Sequence, residues 1–208
     1  MSFFSTRSGD CATASQAILR GLAADGGLFV PSMFPSLPQE KISQLCGQSF
    51  QKRSARVLRD YLEDYSISEI ENAVNRAYSA EEWDDPAIAP VRTLAKDTHV
   101  LELFHGPTLA FKDIALKLLP HLVSLAAEKN NEKREISIIV ATSGDTGKAA
   151  LEGFKDVPGT SCSVLRSLVR AGEWEVSRPM IPTRVTSCAA AVRHSDRRRM
   201  VEASVFFI

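Results

Sequence analysis

LELFHGPTLAFKD, Leu101 to Asp113, joins a short β-prone run to the tight pair Gly106-Pro107 and then delivers Lys112 to the first turn of an apolar-striped segment. Such a turn brings the backbone sharply round, and it sets one amine at the head of a helix. The pattern behind it predicts a helix over 112–129. Ile114, Leu118, Leu122 and Leu125 fall on one broad face, joined by Leu119, Val123 and Ala126. Pro120 lies inside this run and removes one amide donor, so the helix is expected to kink or break there.

Downstream, the polar run 128–135 reads as a loop. Residues 135–141, EISIIVA, then read as a strand apolar enough to be central in a parallel sheet. ATSGDTG, Ala141 to Gly147, turns this strand into another helix with body 147–154, capped by Asp145 or Thr146. Strand, helix, strand, glycine turn and helix in succession predict an α/β fold with a parallel sheet. Upstream, 91–94 and 99–104 read as two strands around a turn at Lys96-Asp97, either a hairpin or two edge segments.

The first 85 residues read differently. A short helical pattern covers 15–22, and a strand at 28–30 follows the turn Asp25-Gly26-Gly27 and stops at Pro31. Helical periodicity runs over 39–62 with an interruption at Gly47. Another helix begins near 66–68, where Ser66 with Glu69 and Ser68 with Glu71 both have capping-box spacing. This is a helical packing unit, and Trp83 reads as a packing or surface aromatic beside a linker punctuated by Pro86 and Pro90.

The 208 residues are 44% hydrophobic, enough for a core, and carry no net charge. Nothing in that balance points to nucleic acid or an anionic membrane. No run approaches the roughly 18 apolar residues of a membrane span, and the start, MSFFSTRSGD, lacks a signal pattern. Cys11, Cys46, Cys162 and Cys188 are too scattered for a zinc site or a disulfide framework. A cytoplasmic protein with incidental thiols is expected. The zero charge conceals a shift: residues 1–160 hold 17 Lys/Arg against 21 Asp/Glu, whereas residues 161–208 hold 8 Arg, no Lys and 4 acids. After a last strand near 161–169 the periodicity decays, and residues 161–208 read as a tail foreign to the fold, disordered or arising from an altered reading frame.

Two clusters carry chemistry. Lys112 stands between Phe111 and Ile114, an apolar setting that favours a neutral amine. A neutral lysine can bond covalently to an aldehyde cofactor and later carry protons. His105 faces either a cofactor or a structural hydrogen-bond partner, and Asp113 either orients nearby backbone or simply favours the helix start. In the second cluster, Thr142, Ser143, Gly144 and Thr146 combine hydroxyls, a flexible backbone and helix-start amides, which suits a phosphate or carboxylate. The nucleotide phosphate loop does not fit: Gly144 and Gly147 are separated by two residues, and Ala149 follows Lys148.

These segments, in this order, resemble the threonine synthases, enzymes of the fold-type II pyridoxal-phosphate class. The likeness begins at FSTR (Phe4–Arg7), continues through QAILRGLAADGGLFVP (Gln16–Pro31), peaks at LFHGPTLAFKD (Leu103–Asp113) and ATSGDTGKAA (Ala141–Ala150), and extends to about Thr160. It implies an incomplete fold-type II fold: an N-terminal, mainly helical segment over 1–85, a partial α/β cofactor and substrate domain over 86–160, and a non-family tail over 161–208. It also implies conversion of O-phospho-L-homoserine and water to L-threonine and phosphate. Lys112 would be the catalytic residue and hold pyridoxal 5′-phosphate, with Phe111 and Asp145 beside the cofactor. Thr142, Ser143, Gly144 and Thr146 would face the substrate. The family's second glycine-rich loop is not recognisable in residues 161–208, so the expectation is a chain inactive by itself. A non-enzymatic phosphate-binding or partner-binding role is the alternative.

Overall fold

The computed structural model describes residues 1–142 and 144–164 in full, and 165–167, 174–177 and 204–207 as strand backbone. The chain opens with β1 (Phe3–Ser5) and β2 (Cys11–Ala12), then α1 (Ala14–Arg20) and β3 (Phe29–Pro31), with β1 paired antiparallel to both other strands. The helical unit follows as α2 (Gln39–Leu45), α3 (Phe50–Arg59) and α4 (Ile67–Ala77). Gly47 interrupts it with φ +76°, a left-handed turn that glycine adopts without a Cβ penalty. Of the two capping boxes that the spacing allowed, Ser66 with Glu69 forms. A second box, Thr13 with Gln16, starts α1 at Ala14, one residue earlier than periodicity suggested.

β4 (Val91–Ala95) and β5 (Thr98–Leu101) form a hairpin with a bulge between Thr93 and Ala95, which settles the choice left by the sequence. The long helix predicted over 112–129 is two helices, α5 (Asp113–Leu116) and α6 (Leu119–Lys129). The physical reason is Pro120, which occupies the first turn of α6 and has no N–H for the carbonyl of Leu116. β6 (Ile136–Ala141) leads to α7 (Asp145–Gly153) and then to β7 (Thr160–Ser167), β8 (Trp174–Ser177) and β9 (Ser204–Phe207). The sheet order is β8-β7-β6-β9, with β6 parallel to both neighbours, so the run 135–141 is central as predicted. The remainder of the predicted tail over 161–208 lies outside the described residues.

Two apolar clusters hold these elements together. One joins α1, α3 and α4 to Trp83, Ile88, Leu118 and Leu122; the other packs Leu116, Val123 and α7 on Ile136, Ile138 and Val140 of β6. α6 serves both, with Leu122 turned to the first cluster and Val123 to the second. Each fully buried branched side chain here contributes about 1.5–3 kcal/mol. Trp83 is packing rather than surface: it is buried, and its Nε1 donates to the carbonyl of Ala77 at 3.0 Å. The polar links agree with this layout. Tyr78 donates to the carbonyl of Ile114 at 2.8 Å and Tyr65 to that of Leu122 at 3.2 Å, tying the helical unit to α5 and α6.

Candidate active site

The turn ahead of Lys112 is built by one buried acid. Asp113 is 1% exposed and accepts from the Thr108 backbone N–H at 2.8 Å and from the Thr108 hydroxyl at 2.5 Å. A carboxylate satisfied this way fixes the backbone between them. Gly106 is required by the same packing, because a Cβ there would lie 2.6 Å from the Asp113 carboxylate and 3.0 Å from the Trp83 ring. Asp113 therefore orients backbone, which is one of its two expected roles.

Lys112 sits just before α5, with φ −65° and ψ −20°. It is half-buried, and its Nζ lies 4.6 Å from the centre of the Phe111 ring. No ion pair to Lys112 occurs among the described residues. The expected dry surroundings are only partly built: Phe111 is 58% exposed and Ile114 half-buried. The ring of Phe111 lies against the amine.

The glycine-rich turn belongs to the same side of the molecule, because α7 packs on α5. Gly153 of α7 sits against the carbonyl of Leu116, so closely that a Cβ there would collide with it. Lys148, in the second turn of α7, donates to the carbonyl of Thr108 at 3.3 Å. The turn that carries Lys112 is thus bonded directly to the helix that the glycine-rich turn opens.

Within that turn, the Gly144 N–H donates to the Thr142 hydroxyl at 3.3 Å. Gly147 is buried, and a Cβ there would strike Thr142 and Val164. Thr142 and Thr146 are half-buried, and Gly144 and Asp145 exposed. A Cβ built on Gly144 would meet nothing within 4 Å, so its backbone borders open space. The expected side-chain cap by Asp145 or Thr146 is corrected: Gly144 holds the N-cap position and α7 has no side-chain cap. Among the described residues no side chain caps the helix-start amides. Ser143 lies outside the described residues.

His105 resolves to its structural role. Its Nδ1 meets Asp84 at 2.5 Å and its Nε2 meets Glu102 at 2.9 Å, and Glu102 in turn pairs with Arg92 at 3.3 Å. The bond to Glu102, followed by that to Asp84, holds the His105 pKa above its ordinary value. Among the described residues no cluster of three metal-ligating side chains occurs, and no helix is long and apolar enough to cross a membrane. A cavity of about 810 Å³ lies elsewhere, between α2, α3 and α4, and is lined by none of the predicted site residues.

Sequence reading missed two residues, Thr108 and Lys148. Thr108 follows the Gly106-Pro107 turn five positions before Asp113, too far for a periodic pairing rule. Lys148 had drawn notice only through its resemblance to a nucleotide loop, although a cation in an early turn of α7 could have been set against the facing carbonyls.

A helical N-terminal unit followed by a parallel-sheet segment, with a lysine at one helix head and a glycine-rich turn opening the helix packed on it, matches the N-terminal part of the fold-type II pyridoxal-phosphate enzymes. Within that class the chain shares the N-terminal homology of the threonine synthase family. The family model "Threonine synthase N terminus" matches residues 2–78. Threonine synthase of Schizosaccharomyces pombe is 37% identical over 174 residues, covering 79% of this chain and 34% of that protein. That of Pseudomonas aeruginosa is 35% identical over 192 residues, covering 90% and 40%. Among solved structures, pyridoxal-phosphate-bound threonine synthase from Brucella melitensis superposes with a TM-score of 0.72 at 36% identity, covering 79% of this chain and 35% of its own. The yeast enzyme gives 0.71 at 32%, covering 78% and 35%. The chain spans about a third of the length of most of these relatives.

Proposed function

We propose that this chain supplies the cofactor lysine and the substrate-facing loop of a pyridoxal-phosphate-dependent threonine synthase, acting on O-phospho-L-homoserine and water to give L-threonine and phosphate. The observation that carries the reading is the Lys148–Thr108 bond, which couples the Lys112 turn to the helix opened by the Thr142–Thr146 loop. The residues fit the cofactor on the lysine side: an amine without an ion-pair partner among the described residues, beside an aromatic ring, on a turn braced by Asp113. The relative from Brucella melitensis, which binds pyridoxal phosphate, supports the cofactor class.

In this reading Lys112 would hold the cofactor by its aldehyde group, and its amine would move protons at the substrate carbons. Bound there, pyridoxal phosphate supplies the electron sink that makes those protons removable. Phe111 would cover one side of the amine, and Asp145 would lie beside the cofactor. Thr142, Ser143, Gly144 and Thr146 receive the anionic end of the substrate through hydroxyls and helix-start amides. Asp113 and Thr108 hold the lysine's backbone in register with that loop. The isolated chain is proposed to bind without turning over, in the cytoplasm, because one glycine-rich loop does not enclose both cofactor and substrate.

Spectral titration tests the substrate side. With pyridoxal phosphate loaded, O-phospho-L-homoserine should perturb the cofactor absorbance of the wild-type chain, and Thr142→Val with Thr146→Val should weaken that response about tenfold. A response unchanged by both substitutions would contradict the assigned loop.

A further inference from the structure

Helix α2 lies on the body without an apolar anchor. None of its seven residues is buried, and none belongs to either apolar cluster. Between it and the helices α3 and α4 lies the cavity of about 810 Å³. Small-molecule sites occupy about 300–1,000 Å³. The walls follow from helical spacing. Lys52, Arg56 and Arg59 recur at i, i+4 and i+7 on α3, which turns one face of that helix to the cavity, and Lys41 enters from α2. The body of α3 carries four cations and no acid. Like charges at i, i+4 on a helix repel each other. Two acids, Asp60 and Glu71, also line the space. Asp60 is taken by Arg56, which donates to it at 2.6 Å. Among the described residues the side chains of Lys41, Lys52 and Arg59 have no ion pair or hydrogen bond. Three cations without partners therefore converge from two helices on one concave space.

We propose that this cavity binds a small molecule carrying clustered phosphate groups, at a site distinct from the Thr142–Thr146 loop. The number and spread of the cations select this class. A single anionic group cannot meet Lys41 on one helix and both Lys52 and Arg59, two turns apart, on the other. A chain of two or three phosphates can. Ammonium groups serve phosphate as point charges and guanidinium groups as forks, so the mixture suits phosphate oxygens. Among the described residues no aromatic side chain lines the cavity. A base ring would find no stacking surface there, so the phosphates and not a base are what is recognised. A bound polyphosphate bridges α2 to α3 and supplies the anchor that apolar packing does not give α2. The site does not depend on the cofactor reading of Lys112.

The test is calorimetric titration of the full 208-residue chain with inorganic tripolyphosphate, inorganic phosphate and a nucleoside triphosphate. Tripolyphosphate is expected to bind one-to-one, at least about tenfold more tightly than phosphate, and more weakly as salt is raised. The nucleotide should bind no more tightly than tripolyphosphate. Lys52→Gln with Arg59→Gln should weaken binding at least about tenfold. Both side chains are exposed, so this variant should keep the wild-type melting transition. Arg53→Gln with Arg76→Gln removes two exposed cations that do not line the cavity and should leave the affinity unchanged. Thr142→Val with Thr146→Val should also bind like wild type, which separates this site from the loop of the functional reading. Tripolyphosphate should slow hydrogen exchange of the α2 amides. Absence of binding, equal loss in the two cation variants, loss in the threonine variant, or a nucleotide that binds more than about tenfold more tightly than tripolyphosphate would overturn the proposal.

Discussion

Asp113 and Thr108 are joined twice, by a 2.8 Å bond from the Thr108 amide and a 2.5 Å bond from its hydroxyl, at a carboxylate that is 1% exposed. Removing the acid leaves a buried N–H and hydroxyl unsatisfied. Asp113→Ala is expected to cost about 2–4 kcal/mol, and Thr108→Val, which keeps the amide bond, about half as much. Urea denaturation measures both. Losses below about 0.5 kcal/mol would show that the turn is held by something else.

His105 gives a pH signature. Its pKa is raised in the fold by Glu102 and Asp84, and that of Glu102 is lowered chiefly by its bond to His105. A raised folded pKa contributes stability that is complete below the unfolded value, about 6.5, and lost as pH climbs through the folded value. His105→Gln, which does not titrate, should therefore trail the wild type most between about pH 4.5 and 6.5. The gap in melting temperature should narrow at higher pH. A gap that widens with pH would reverse the assignment.

Gly153 stands where α7 meets the carbonyl of Leu116. Alanine ordinarily favours a helix over glycine by about 1 kcal/mol. Here its Cβ would press on backbone that Pro120 has already prevented from continuing as one helix, and overpacking of this kind costs about 1–3 kcal/mol. Gly153→Ala is expected to be net destabilising by about 1–2 kcal/mol in urea and to loosen α5 on α7. A more stable variant would mean that the two helices separate without penalty.

What could be read beforehand followed from local rules. The apolar run of 135–141 predicted a central strand, and β6 lies between β7 and β9. Pro120 predicted a break, and α5 and α6 part beside it. Gly47 predicted the interruption between α2 and α3. The relationships that were not legible are those between distant positions. His105 finds Asp84 across 21 residues, and Lys148 finds Thr108 across 40. Neither spacing follows a helix or strand period, so only the packing of α7 on α5 and of the linker on the Gly106 turn brings them together. The missing side-chain cap at α7 was likewise hidden, because Asp145 and Thr146 have the right chemistry and the wrong position by one or two residues.

The most direct measurement is covalent trapping. The chain is incubated with pyridoxal phosphate, reduced with borohydride, digested and mapped by mass spectrometry. A phosphopyridoxyl adduct concentrated on Lys112, absent in Lys112→Ala and diminished in Asp113→Ala, is the predicted result. An adduct spread evenly over the surface lysines, with Lys112 labelled no more than Lys41 or Lys52, would contradict the assignment of Lys112 as the cofactor anchor.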